Sequence, residues 1–327
     1  MDTIRKSFFF FLLSFFIFTN CTVEEGEMEN PDLSTLEGKI LFAFAGDLFL
    51  YDLATETIDF IAERKGRQGP FMSPDAQYFT TNNWPGKNEG VALWEVNTGV
   101  IEKEFDLEIT LDPDELGVKV SPSATYYSGI VNSLSSANPD FIILDEGGDE
   151  IFRIDGDRIR VKGHVWDTRG NLYFTGEILE GSLNEALFLG RISDIGTNDF
   201  TLIRIFDGQF ADLPDQLAIS PDGGQIAYGY KTSIWIGSTE ENSENHRECF
   251  GAVQTLAVPT FSPDGTHLAT VMLNSSTSLR GDLHVAKIPN EGLTTLTAEG
   301  ATKLPGPNSS LNSTWVSGGD SSIGWFK

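Results

Sequence analysis

The sequence predicts an all-β protein, a six-bladed β-propeller of four-stranded blades whose ring is closed by pairing of the C-terminal strand with the N-terminal blade. Three observations carry this prediction. A turn phrase, Ser-Pro-Asp-Gly or a variant of it, recurs at intervals of about 42 to 54 residues, the range in which propeller blades fall. Between copies lie further short runs rich in β-branched and aromatic residues, divided by Gly, Asn and Asp turns, which read as strands. Beyond the N-terminal region no stretch sustains the 3.6-residue periodicity of an amphipathic helix.

In chain order, residues 1–20 come first, "MDTIRKSFFFFLLSFFIFTN". Arg5 and Lys6 give a positive start, and residues 8–18 form an apolar stretch shorter than the roughly 20 residues a spanning helix needs. The pattern is that of a secretory signal. Cys21 follows directly and resembles the acceptor of bacterial lipoproteins, which is acylated and becomes the mature N-terminus. Multiple acyl chains, at roughly 0.8 kcal/mol per buried methylene, anchor stably. Residues 21–37 are acidic and poor in large apolar side chains, so they are expected to form a solvated tether. Residues 38–327 are expected to form the propeller.

The turn phrases open at residues 71–81 (FMSPDAQYFTT), 120–129 (VSPSATYYSG), 165–176 (VWDTRGNLYFTG), 219–229 (ISPDGGQIAYG) and 261–271 (FSPDGTHLATV), with a frayed copy at 315–326 (WVSGGDSSIGWF). Pro sets φ at the second turn position, Asp suits the third and Gly takes the left-handed residue, so each phrase joins two antiparallel strands. A second hairpin follows each first one, at residues 47–61, 91–105, 141–154, 186–205, 233–250 and 282–297. The N-terminal part starts mid-unit at "KILFAFAGDLFLYDL", with no turn phrase before it. The missing inner strand is expected from residues 313–318, paired to the sheet begun at Lys39. Closure removes the open edge that an unclosed sheet presents to other chains.

On these repeats the chain resembles the TolB-like (WD40-like) six-bladed propellers, best at residues 219–228, 261–270 and 47–57. The resemblance implies the fold over nearly everything after the tether. It implies no single function, because such blades serve in envelope scaffolds, peptidase accessory domains and polysaccharide-degrading enzymes.

Charge narrows the partners. The formal net charge of −26 argues against nucleic acid, whose affinity rests on Lys and Arg neutralising phosphates. There is no G-x-S-x-G nucleophile elbow and no H-E-x-x-H. The acidic runs at residues 111–117 and 145–150 do not follow the calcium-loop pattern. Cys249 lies three residues from His246, short of zinc spacing, and reads as a structural thiol. Neither a cofactor nor a metal is expected.

The long polar loops between the second and third strands, at residues 82–90, 131–140, 177–186 and 274–282, all rise from the face opposite the turn phrases. Loops on a rigid scaffold are where recognition usually sits. Asn83, Trp84, Tyr230, Lys231 and Arg280 are therefore the candidate ligand-binding residues, with Trp84 and Arg280 of the types that anchor interfaces. The resulting expectation is a lipid-anchored, exported bacterial envelope module, at the outer membrane on its periplasmic or cell-surface side. It binds a protein or a surface glycan without catalysis. The alternative is a polysaccharide-active lyase or glycosidase with its site in the central funnel.

Overall fold

The computed structural model describes residues 35–327 apart from 45–46, 64–66, 84–89, 107–109, 112–116, 133–136, 181–185, 198, 207–213, 215, 244, 253–255, 274–279, 291–292, 296–300, 305–314 and 317–322. Six antiparallel sheets form six blades, each ordered from an innermost strand outward. Blade 2, for example, runs Arg67–Met72, Tyr78–Asn83, Gly90–Glu95 and Ile101–Asp106. Blades 3 to 6 begin at Lys119–Val120, Ile159–Trp166, Leu217–Ile219 and Leu256–Phe261.

Because each blade is covered on both faces, its central strands are near-continuous apolar runs rather than alternating ones; Gly90–Glu95 and Asp140–Asp145 are buried at all but their last residue. The core is divided into six clusters, one for each blade-to-blade interface. Ile40, Phe42, Leu283 and Val285 join blades 1 and 6; Phe141, Trp166, Phe174 and Phe188 join blades 3 and 4. The other four clusters fill the remaining seams in the same way.

The turn phrase owes its composition to short-range hydrogen bonds. Ser73 Oγ donates to Asp75 Oδ1 at 2.6 Å and accepts the Tyr78 N–H at 3.0 Å. Ser220 repeats this with Asp222 and Gln225 (2.6 and 2.8 Å), and Ser262 with Asp264 and His267 (2.5 and 2.9 Å). In blade 4, Asp167 replaces the serine and accepts from the Arg169 and Asn171 N–H groups, both at 2.8 Å. The fourth residue is left-handed throughout: Gly170, Gly223 and Gly265 at φ 83°, 72° and 72°, but Ala76 at 55° and Ala124 at 53°. A left-handed non-glycine residue costs roughly 1–2 kcal/mol, partly offset by glycine's greater freedom when unfolded. Ala76→Gly is therefore expected to raise stability by about 0.5–1 kcal/mol, read as a higher denaturant midpoint at unchanged slope. A lower midpoint would contradict this account of the turn.

Ring closure differs from expectation in one respect. The C-terminal strand does pair with the N-terminal blade, but that strand is Gly324–Phe326, in register Lys39↔Phe326, Ile40↔Trp325 and Leu41↔Gly324. Trp315–Val316, within the stretch expected to close the ring, pairs instead with Arg280 and Gly281 of blade 6. The reason lies in the outer edge of that blade, where, among the described residues, the fourth strand is Thr302–Lys303 alone and pairs with only part of the eight-residue strand Arg280–Lys287. The second hairpin of blade 6 departs as well. Thr294–Thr295, expected to pair within blade 6, runs parallel to Phe250 and Gly251 as a fifth strand on blade 5.

Candidate functional site: the central cavity

The innermost strands of all six blades surround a cavity of about 330 Å³ on the ring axis. Its wall includes Met72, Val165, Ile219, Val258 and Trp325, with Lys119, Gln216 and Thr260 as the polar members. The mouth opens among the turn phrases, since Ser73, Pro74, Asp75, Thr168, Pro221 and Pro263 line it together with Lys327.

Contacts between neighbouring blades hold the wall in shape. Lys119 Nζ donates to the carbonyl of His164, and the Val258 N–H donates to Gln216 Oε1. Thr175 Oγ1 donates to the Pro214 carbonyl at 2.6 Å, and Trp166 Nε1 to Ser128 Oγ at 2.8 Å. The turns themselves are stitched. Asp75 Oδ2 accepts the Ser123 N–H at 2.8 Å, and Arg169 Nη2 donates to the Asp222 carbonyl at 2.8 Å. Loss of one such link would displace two turns at once.

Electrostatically the turn face is acidic. Asp75, Asp167, Asp222 and Asp264 sit in the turn phrases, and exposed Glu56, Glu146, Asp149, Glu240 and Glu241 occupy the third-to-fourth-strand turns of the same face. The Ser220 hydroxyl and the Gly224 N–H hold the Asp222 carboxyl below its ordinary value. At Asp264 burial pushes upward, but bonds from Ser262 and Thr266 outweigh it, and the net shift is downward. These two carboxylates are charged over the whole physiological range.

Of the candidate residues read from the sequence, Asn83, Tyr230, Lys231 and Arg280 have their backbone on the opposite face. Tyr230 ends the second strand of blade 5 and Lys231 follows at φ 55°, exposed, with its Nζ 5.0 Å from the Tyr230 ring centroid. Asn83 ends the second strand of blade 2 and Arg280 begins the third strand of blade 6, both at the same end of the ring. Trp84 and the side chains of Asn83 and Arg280 lie outside the described residues, as does Cys21. The loop at residues 131–140 is pinned at its far end, where Asp157 Oδ1 accepts the Ala137 and Asn138 N–H groups at 2.9 and 3.1 Å.

The Cys249–His246 pair does not form a reactive dyad. Cys249 is fully buried, and desolvation raises its thiol to about 11. His246 Nδ1 instead shares a hydrogen bond with the Tyr228 hydroxyl at 3.2 Å.

No protein-family model matches the sequence, and no curated protein matches it. Solved structures do match the fold. TolB from Acinetobacter baumannii superposes with a TM-score of 0.58 at 17% identity, covering 88% of this chain and 66% of that one, just under two thirds. A structure assigned as TolB from Agrobacterium tumefaciens gives 0.57 at 13% identity, covering 90% and 99%. The chain has the TolB-like six-bladed propeller fold. A nidogen/laminin complex also contains a propeller similar to this TolB-like ring, with a TM-score of 0.53 at 11% identity over 88% of this chain and 97% of that one.

Proposed function

We propose that the chain is an exported, lipid-anchored propeller of the bacterial envelope that binds a protein partner without catalysing a reaction. The observation that carries this reading is the central cavity, whose largely apolar wall is drawn from every blade and whose mouth, lined by Asp75, Asp167 and Lys327, opens on the acidic turn face. Such a mouth suits a segment that places an apolar side chain in the cavity and Lys or Arg over the rim. The carboxylates nearest the mouth, Asp75 and Asp167, already accept bonds from turn backbone N–H groups, which suits a fixed rim better than an acid–base pair. Anchoring at Cys21 and the outer membrane as location rest on the sequence pattern. The long-loop face, to which the sequence pattern assigns Asn83, Trp84, Tyr230, Lys231 and Arg280, is the second surface proposed for a partner.

Crosslinking of the full-length tagged protein in intact envelopes tests the reading. The expected result is capture of one protein, lost in Ile219→Gln at the cavity wall and retained in a Trp84→Ala, Arg280→Ala double variant. Loss only in the double variant would move the interface to the loop face. Retained glycan with no protein would favour the polysaccharide-active alternative. Cys21→Ala should release the protein from membranes, and its retention through washing would overturn the anchor.

A further inference from the structure

The point at which the chain enters the propeller bears on how the molecule stands over a membrane. Leu36 is buried between blades 1 and 6, beside Leu53 and Trp325. The Glu37 carbonyl accepts Trp325 Nε1–H at 3.1 Å, and the Gly38 carbonyl accepts the Leu53 N–H at 3.1 Å. Leu53 lies in the third-to-fourth-strand turn of blade 1, and Trp325 is part of the cavity wall. Lys39 then starts a strand antiparallel to Gly324–Phe326, whose far end, Lys327, lies at the mouth. The entering chain is thus fixed on the turn face, one tryptophan side chain from the cavity.

From Cys21 to Thr35 there are fourteen residue steps, which at full extension span at most about 50 Å and as a coil roughly 20 Å. The strands crossing the ring are six to eight residues long in most blades, so the long-loop face lies about 20 Å farther from the point of entry.

We propose that the turn face, with the cavity mouth at its centre, is the side of the propeller held toward the lipid surface, while the long-loop face looks away from it. This rests on the anchor at Cys21 proposed above. A short leash attached beside the axis on one flat face of a rigid disc biases that face toward the anchor. The carboxylates of the turn face disfavour adhesion to anionic headgroups, so the face stands off the bilayer without lying on it. A partner reaching the mouth then comes from the membrane side.

The test compares two single-cysteine labels on the same blade. Glu146→Cys places a donor dye in the third-to-fourth-strand turn of blade 3 on the turn face, and Ala137→Cys places it in the second-to-third-strand loop on the other face; both residues are exposed. Cys249 is buried with a raised thiol and stays unlabelled. The lipidated full-length protein is bound to phosphatidylcholine vesicles carrying a rhodamine-headgroup acceptor. Transfer from position 146 is expected to exceed that from position 137 at least twofold. An insertion of about 20 Gly and Ser residues before Thr35 should bring the ratio toward one. Equal or reversed transfer with the native tether would overturn the orientation while leaving the anchor intact. Failure of the acylated protein to float with vesicles would refute the anchor and the orientation with it.

Discussion

A chain ending at Ile323 is expected to lose cooperative unfolding altogether, although only four residues are removed. Among the described residues, Gly324–Phe326 supplies the inner strand of blade 1. Trp325 and Phe326 are buried on opposite sides of that blade, one in the cluster shared with blade 6 and the other in the cluster shared with blade 2. Each ring removes about 150–250 Å² from water, an upper estimate of roughly 4–6 kcal/mol apiece. The sum rivals the 5–15 kcal/mol by which a typical domain is stable. Loss of the strand also unpairs Lys39, Ile40 and Leu41 and opens two seams at once. Thermal melts followed by circular dichroism, with limited proteolysis beside them, read the effect. Phe326→Leu serves as the control, expected to keep the fold at a cost of about 1–2 kcal/mol. A truncated chain that melts with the full-length one would sink the closure account.

That experiment cuts at a residue the sequence did not single out. The five complete turn phrases were legible because their hydrogen bonds span at most five residues, from Ser73 to Tyr78 or Ser262 to His267, so the cause lies within the phrase. The closing strand has no such local cause. Its partner Lys39 lies near the other end of the chain, and blade 1 has no turn phrase because both ends of the propeller meet where one would be. Trp315–Val316 and Gly324–Phe326 are equally apolar, and only the unfilled edge of blade 6 decides which goes where. The excursion of Thr294–Thr295 to blade 5 is invisible for the same reason.

The cavity was illegible on different grounds. Each blade contributes wall residues, and these do not keep a constant distance from the turn. The half-buried wall residue stands one position before the turn serine in blades 2 and 5 (Met72, Ile219) but two before the first turn residue in blades 3, 4 and 6 (Lys119, Val165, Thr260). Pairing irregularities in the inner hairpins of blades 2, 4 and 6 shift the alternation by which side chains are assigned to a face. Loop length was legible and pointed to the other face.

Acid is expected to weaken the ring well before its carboxylates titrate, because imidazoles are buried between blades in neutral form. His164 is fully buried; its ring lies edge-on to Phe141 at 5.2 Å, and Nε2 donates to the Ser128 carbonyl at 3.2 Å. Desolvation, followed by the nearby Lys119, lowers its pKa well below the ordinary value. Desolvation and Arg204 bring His246 down to about 4, and desolvation lowers His284 as well. In the unfolded chain these groups take up protons near 6.5, whereas in the folded chain they do so only at lower pH, far lower for His164 and His246. The unfolded state therefore binds more protons throughout that interval, and stability falls as pH falls from about 6.5. His246 alone accounts for roughly 3 kcal/mol between pH 6.5 and 4, and His164 adds a parallel slope. Asp222 and Asp264, with lowered pKa values, join only in the carboxylate range below. Partial neutralisation of the net charge of −26 works in the opposite direction, so the comparison belongs in 1 M salt, where screening acts over about 3 Å. There the denaturant midpoint should drop steeply between pH 7 and 5. His164→Gln and His246→Gln should each start lower at pH 7 and show a shallower slope. A wild-type midpoint constant across that range would mean that the blade interfaces tolerate imidazolium, and that the buried histidines do not set the acid limit of the fold.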